Sequence, residues 1–255
     1  MRRWVAIAVG SALTVMAAGM AVPVAAGDSG SPVRPHAQID LAGTAAKASS
    51  ERRQGLTRVI AISPKAADNA EVTHAALLIT RQHYTGVVAF GGRVQTVRQL
   101  RTGSPPNPWE CAWLVWHYQD EQHFYYVAIK PTGWEIGKRD PAYPGGQRFL
   151  ASGPERFPIG AWHDFLISQQ DNVITVRLNG VEIASFADDE RPYRRGNLGL
   201  YAEDAEAQLD DVTAPFAEDF EGYAPMTSTA EGLVINEWIV PFLGYGRVAV
   251  VDRQR

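Results

Sequence analysis

The chain has one cysteine, Cys111, in 255 residues. No intramolecular disulfide can form, so the core, or a bound metal, must hold the fold. Cys111 lies in an aromatic run and reads as a small buried hydrophobe rather than a nucleophile. Clustered basic charge is also missing. The net charge is −4, and the densest basic run, Arg191 to Arg195, has three arginines in five residues. That excludes the electrostatic footprint of a nucleic-acid binder. There is no Gly-x-Ser-x-Gly, no His-Glu-x-x-His, no phosphate loop and no Cys-x-x-Cys, so the reactions those motifs mark have no support. Helical periodicity is absent too: no three-to-four spacing persists for more than a turn beyond the N-terminal segment.

The N-terminus reads as a targeting segment. Arg2 and Arg3 precede an apolar run from Trp4 to Ala21, and Val24-Ala25-Ala26 supplies small residues at a cleavage site. Residues 1–26 are therefore expected to be a signal peptide, which makes the protein secreted, extracellular and free of the membrane after cleavage. Residues 27–53 are rich in Gly, Ser, Ala and Pro without periodicity, the composition of a flexible linker. The folded domain is expected over 54–252, as a monomer.

What the chain does have is alternation. From Pro108 to Asp140 it carries four of seven tryptophans and three of nine tyrosines. Three runs, 110–118, 123–130 and 134–138, are rich in aromatic and β-branched residues. Gln119-Asp120-Glu121-Gln122 and Pro131-Thr132-Gly133 separate them as turns, which predicts an antiparallel meander. Period two sends Glu110, Ala112, Leu114 and Trp116 to one face and Cys111, Trp113, Val115 and His117 to the other. In the next strand Phe124, Tyr126, Ala128 and Lys130 oppose His123, Tyr125, Val127 and Ile129. Further strands are expected over 56–62, 74–80, 84–90 and 93–100, with Gly91-Gly92 as a hinge or bulge. Others follow over 148–151, 162–168, 173–178, 181–186, 198–202 and 207–212. Asn179-Gly180 predicts a type I′ hairpin, which needs positive φ at both central residues. The fold class that follows is all-β, an antiparallel two-sheet sandwich.

Three segments resemble a known architecture: Ala161-Trp162-His163; the 173–186 hairpin; and Gly199-Leu200-Tyr201 running into Leu209-Asp210-Asp211-Val212. Their order resembles the second half of the concanavalin A-like jelly roll. That superfamily includes laminin-G-like modules, family sixteen glycoside hydrolases and bacterial 3-keto-disaccharide hydrolases. The resemblance covers roughly 56–212 and implies two curved sheets with a face that binds glycans. The tail, 216–251, resembles what such domains carry first, so the segment order implies a circular permutation. A truncated second repeat is the alternative. The resemblance also implies one structural calcium ion, carried over to Asp211, Asp219, Glu221 and Gly222, where carboxylates would supply the oxygen ligands.

Tryptophan and tyrosine stack on sugar rings, and charged neighbours bond the hydroxyls. The candidate glycan contacts are Trp113, His117, Tyr126, Lys130, Trp134 and Lys138. Hydrolysis of a glycoside needs two carboxyl groups across the scissile bond, and Glu110 and Glu135 are the candidates in the meander. The Glu-x-Asp-x-x-Glu signature of family sixteen is absent from the chain. A glycan-binding module, a carbohydrate-active enzyme and a structural or adhesive domain all stay open at this point.

Overall fold

The computed structural model describes residues 57–86 and 88–253. The expected signal peptide and linker lie outside the described residues. Among the described residues, eighteen strands form two sheets of antiparallel pairs. The first sheet runs β11 (Val181–Ala187), β10 (Val173–Leu178), β9 (Trp162–Gln170), β4 (Val88–Gln99) and β13 (Ala205–Thr213). It continues through β1 (Arg58–Ser63), β18 (Arg247–Asp252) and β15 (Met226–Ser228), with β14 (Ala217–Glu218) paired to β13. The second sheet runs β16 (Leu233–Ile235), β17 (Trp238–Phe242), β2 (Ala75–Thr80) and β12 (Arg195–Glu203). Beyond β12 come β5 (Ala112–Asp120), β6 (His123–Lys130), β7 (Gly133–Arg139) and β8 (Gln147–Gly153), while β3 (Tyr84–Thr85) pairs with β12. Among the described residues no helix is long and apolar enough to cross a membrane.

One parity of each strand builds the core between the sheets. Ile60, Ile62, Phe90 and Ile167 of the first sheet meet Leu78, Leu114, Trp116 and Val127 of the second in one buried cluster. Trp116 and Trp238 are fully buried there. Truncating either to alanine in such a core costs about 3–5 kcal/mol.

The turns follow their chemistry. Asn179 (φ 51°) and Gly180 (φ 79°) connect β10 to β11 in the left-handed region, as a type I′ turn requires. Gly91 and Gly92 do not break the chain: β4 passes through both as one strand. The reason is steric. A Cβ on Gly91 would lie 2.8 Å from the Thr213 hydroxyl, and one on Gly92 3.0 Å from the Asp210 carbonyl. The pairing of β4 with β13 shifts register at this point, the irregularity of a bulge, so the glycines admit a close backbone at a bulge rather than a hinge.

The C-terminal strands are integral. β18 pairs with β1 from Arg58↔Asp252 to Ser63↔Arg247, and the Arg253 amide donates to the Thr57 carbonyl (2.6 Å). β17 pairs with β2, and Phe220, Trp238 and Val250 lie in the central core. The two ends of the described chain thus lie side by side as the arms of a hairpin.

Candidate functional site

The other parity of the second sheet faces outward, and it is aromatic. Leu77, Trp113, Val115, Tyr126 and Tyr201 form a second apolar cluster, with Phe242 packed against it. Every member comes from the second sheet or the loops beside it, so this is the sheet's outer face. Register arranges it in rows. Phe242, Leu77, Tyr201, Trp113, Ala128 and Glu135 stand across β17, β2, β12, β5, β6 and β7. The next row holds Gly199, Val115, Tyr126, Gly137 and Phe149, ending on the edge strand β8.

Trp113 is the centre of the aromatic row. Its ring lies 4.6 Å from Tyr126 in a tilted stack and 5.4 Å from Tyr201 edge to face. Its indole N–H donates to the Trp109 carbonyl (2.8 Å), which fixes the ring. Beside this floor runs a chain of polar side chains. Gln147 Nε2 donates to the Tyr126 hydroxyl, which donates to Glu135 Oε1 (2.8 Å). Lys130 Nζ donates to Glu135 Oε2 (3.0 Å). Lys130 and Glu135 keep 18% and 19% of their side chains exposed, so ligand hydroxyls can reach a donor and an acceptor together.

Gly137 makes the chain possible. A Cβ there would sit 2.3 Å from the Tyr126 hydroxyl oxygen, so only glycine lets the phenol cross β7 toward Glu135 and Gln147. Burial, reinforced by Glu135, pushes the Tyr126 hydroxyl well above the ordinary tyrosine range, and it stays a neutral donor.

The structure thus brings Trp113, Tyr126, Lys130 and Glu135 together on one face. It places the other candidates elsewhere. Trp134 belongs to the inner core, and its N–H donates to Glu155 Oε2 (2.5 Å). Lys138 is fully buried against Asp188 (2.7 Å). Tyr125 also donates to Asp188 (2.6 Å), and Arg148 lies 3.2 Å from its other oxygen. Burial opposes ionisation of Asp188, but the bonds from Lys138 and Tyr125 prevail and hold it below the usual carboxylate range. This network ties down the loop after β11, since Lys138 also donates to the Glu190 carbonyl.

His117 departs from the alternation. Its φ is 47°, at a register shift of β5 against both neighbours. Gly196 faces this bulge, where a Cβ would come within 2.3 Å of the His117 carbonyl carbon. Tyr118 takes the outward place in the cluster. Neither His117 ring nitrogen has a partner, and burial lowers its pKa to about 4, so the ring is neutral. Glu110, on the opposite parity to Trp113, is fully buried, where it accepts from Arg101 Nε (2.5 Å) and Asn107 (2.8 Å).

The acidic join has its own partners. Asp211 lies 3.8 Å from Arg93. Asp219 Oδ1 accepts the Glu221 amide (3.1 Å), and Glu221 Oε1 accepts the Arg58 amide (2.9 Å). Gly222 has open space where a Cβ would be. Among the described residues no three His, Cys, Asp or Glu side chains converge as metal ligands.

Four residues of the outer face are additions to the candidates from sequence. Tyr201 and Glu203 stand two apart on β12, and the Tyr201 hydroxyl donates to Glu203 Oε1 (2.6 Å). Arg139 stands opposite Phe124, and Gln147 opposite Arg139. Period two on β12 groups Tyr201 with Glu203, but only the pairing Tyr201↔Trp113 brings them beside the meander.

Comparison with known proteins agrees with the architecture. Residues 103–214 match a family model described as a 3-keto-alpha-glucoside-1,2-lyase-like domain. No curated protein matches in sequence. Among solved structures, the carbohydrate-binding module CBM66 of Bacillus subtilis is 12% identical, with a TM-score of 0.46, covering 60% of this chain and 92% of that one. A heptameric SAP-like pentraxin of Limulus polyphemus is 14% identical (TM-score 0.39, 63% and 76% covered). Sheep galectin-11 is also 14% identical (TM-score 0.39, 54% and 95% covered). The chain has a two-sheet antiparallel jelly-roll fold, and its residues 103–214, across the meander and the strands after it, are similar to that family model.

Proposed function

We propose that the protein is a secreted glycan-binding jelly-roll domain, with the outer face of the second sheet as its binding surface. One observation carries this reading: the contacting rings of Tyr201, Trp113 and Tyr126 lie beside the chain Gln147, Tyr126, Glu135 and Lys130. A sugar presents an apolar ring face and a rim of hydroxyls, and this surface offers both complements. A carbohydrate-binding module and a galectin are among the proteins to which the chain is similar in structure.

A carbohydrate-active enzyme is the second reading, favoured by the lyase-like description of the matched family model. Hydrolysis through a facing carboxylate pair is poorly served here. Glu203 and Glu135 stand on β12 and β7, three strand spacings apart and two residues out of register, or about 16 Å at the backbone, whereas the carboxyl groups of a glycosidase pair lie about 5–9.5 Å apart. A glycan array and a reducing-end release assay on the same protein separate the two. The proposal expects binding without turnover; turnover that is lost in Glu135→Gln would select the enzyme.

A further inference from the structure

The outer face of the first sheet holds a cavity of about 110 Å³, away from the aromatic face. Parity explains it. Ile60, Ile62, Val248 and Val250 point into the core, so Ala61, Ser63, Arg247, Ala249 and Val251 point outward from β1 and β18. Ala61 lies opposite Ala249, and Thr227 of β15 stands on the other side of Ala249. Two alanines side by side leave a hollow, and Val251 completes its apolar floor. The polar wall is the neighbouring row, where Ser63 pairs with Arg247 and Glu206 of β13 closes the far side.

The charges of this wall do not balance. Glu206 is already compensated, since its Oε2 accepts from Arg98 Nε (3.0 Å) and lies 2.9 Å from Nη2. Among the described residues Arg247 has no acidic partner, and neither has Lys65, two residues after Ser63. The Ser63 and Thr227 hydroxyls are also without hydrogen bonds. Beside the cavity the chain turns through Gly244-Tyr245-Gly246. The Lys65 amide donates to the Gly244 carbonyl (3.1 Å), and the Gly246 amide to that of Leu243 (2.9 Å). A Cβ on Gly246 would lie 1.9 Å from the Ser63 carbonyl, so the turn is held against the wall of the cavity. It presents Tyr245 at φ 62°, 77% exposed, with His74 nearly perpendicular at 6.1 Å. Asn or Gly suits that φ better, and a ring so exposed adds little to the core.

We propose that this cavity and Tyr245 form a second sugar site, one for an anionic saccharide. Arg247 holds a carboxylate or sulfate group in the cavity, and the sugar ring lies on Tyr245. The class of ligand rests on the glycan-binding reading above; the place does not, because the cavity lies on the other sheet. Size and charge agree with the division. A cavity of about 150 Å³ admits benzene, so this one takes a substituent rather than a whole sugar. Tyr245 precedes Arg247 by two residues, at most about 7 Å of chain, so ring and substituent of one sugar can meet both. A planar guanidinium suits an oxyanion, and the two free hydroxyls add donors. Two uncompensated cations in a chain of net charge −4 have no counterpart in a neutral sugar.

The test titrates the full chain by calorimetry with three ligands: an oligogalacturonide, its neutral methyl ester and a sulfated oligosaccharide. At least one anionic ligand should bind more tightly than the ester, and the tighter of the two names the group that enters the cavity. Arg247→Gln should weaken that ligand about tenfold, the scale of one charge-assisted contact, and leave the ester unchanged. Tyr245→Asn, which keeps the left-handed φ, should weaken it as well. Both side chains are exposed, so an unchanged melting midpoint verifies that each variant is folded. An ester bound as tightly as both anions, or anion binding unmoved by Arg247→Gln, overturns the site and leaves glycan binding standing. If no ligand binds and a wider array of neutral glycans is also blank, both readings fall.

Discussion

Glu203 has a consequence for stability. Its carboxyl is raised from 4.5 to about 7 mainly by burial, so the folded state holds a proton that the unfolded chain releases. Linkage then makes stability fall as pH rises from about 4.5 to about 7, where the folded protein must ionise a buried group. A shift of this size corresponds to about 3 kcal/mol. Asp210 behaves alike: burial and neighbouring Asp211 lift it to about 7. Glu203→Gln should therefore raise the melting midpoint more at pH 8 than at pH 4.5, as scanning calorimetry at both values would show. An equal change at both would contradict the shift. Calcium belongs to the same scale. The resemblance implies a calcium ion at Asp211, Asp219 and Glu221, and an ion held only by the folded state would make a chelator lower the melting midpoint of the wild type. A fall that Asp219→Ala abolishes is the expected result; no chelator effect at all would remove the site.

At the scale of the strand, much was readable because turn chemistry and period two are local. The meander, the Asn179-Gly180 hairpin and the pairing of Trp113 with Val115 on one face all follow from adjacent residues. The same rule cuts against part of the candidate set. Trp134 and Glu135 are neighbours on β7 and face opposite sides, so residue type suggested both where parity admits one. His117 fails for another reason, because a left-handed φ reverses the alternation within β5. Tyr201, Glu203, Arg139 and Gln147 depend on which strands pair and in what register. That information lies in the packing of the whole sheet, not in the strand. β18 shows the same dependence at the other end of the chain. It lies between β1 and β15, in contact with the core through Val248 and Val250. Deleting residues 216–255 removes it together with β17 and Trp238. A domain stable by about 5–15 kcal/mol should not survive that. Loss of cooperative melting is expected; a soluble, cooperatively melting 54–215 fragment would show that the tail is a separate unit.

For the molecule as a whole, the two faces of the second sheet divide the work. The inner face joins the core, while the outer face carries Trp113, Tyr126 and Tyr201 with Glu135 and Lys130 at one side. Phe149, 61% exposed on the edge strand next to Gly137, extends the aromatic surface to the rim. The proposed role as a binding surface rests on this aromatic floor and its polar side. Trp113 stands at its centre, so its indole reports directly on occupancy. The decisive measurement is the intrinsic tryptophan fluorescence of the full chain during titration with neutral oligosaccharides, repeated in Trp113→Phe and in Tyr126→Phe. A saturable change in the wild type that vanishes in Trp113→Phe, with affinity lowered about tenfold in Tyr126→Phe through the lost hydroxyl, is the predicted result. Saturable binding left unchanged in affinity by Tyr126→Phe and still reported by Trp113→Phe would place the glycan on another surface and contradict the account.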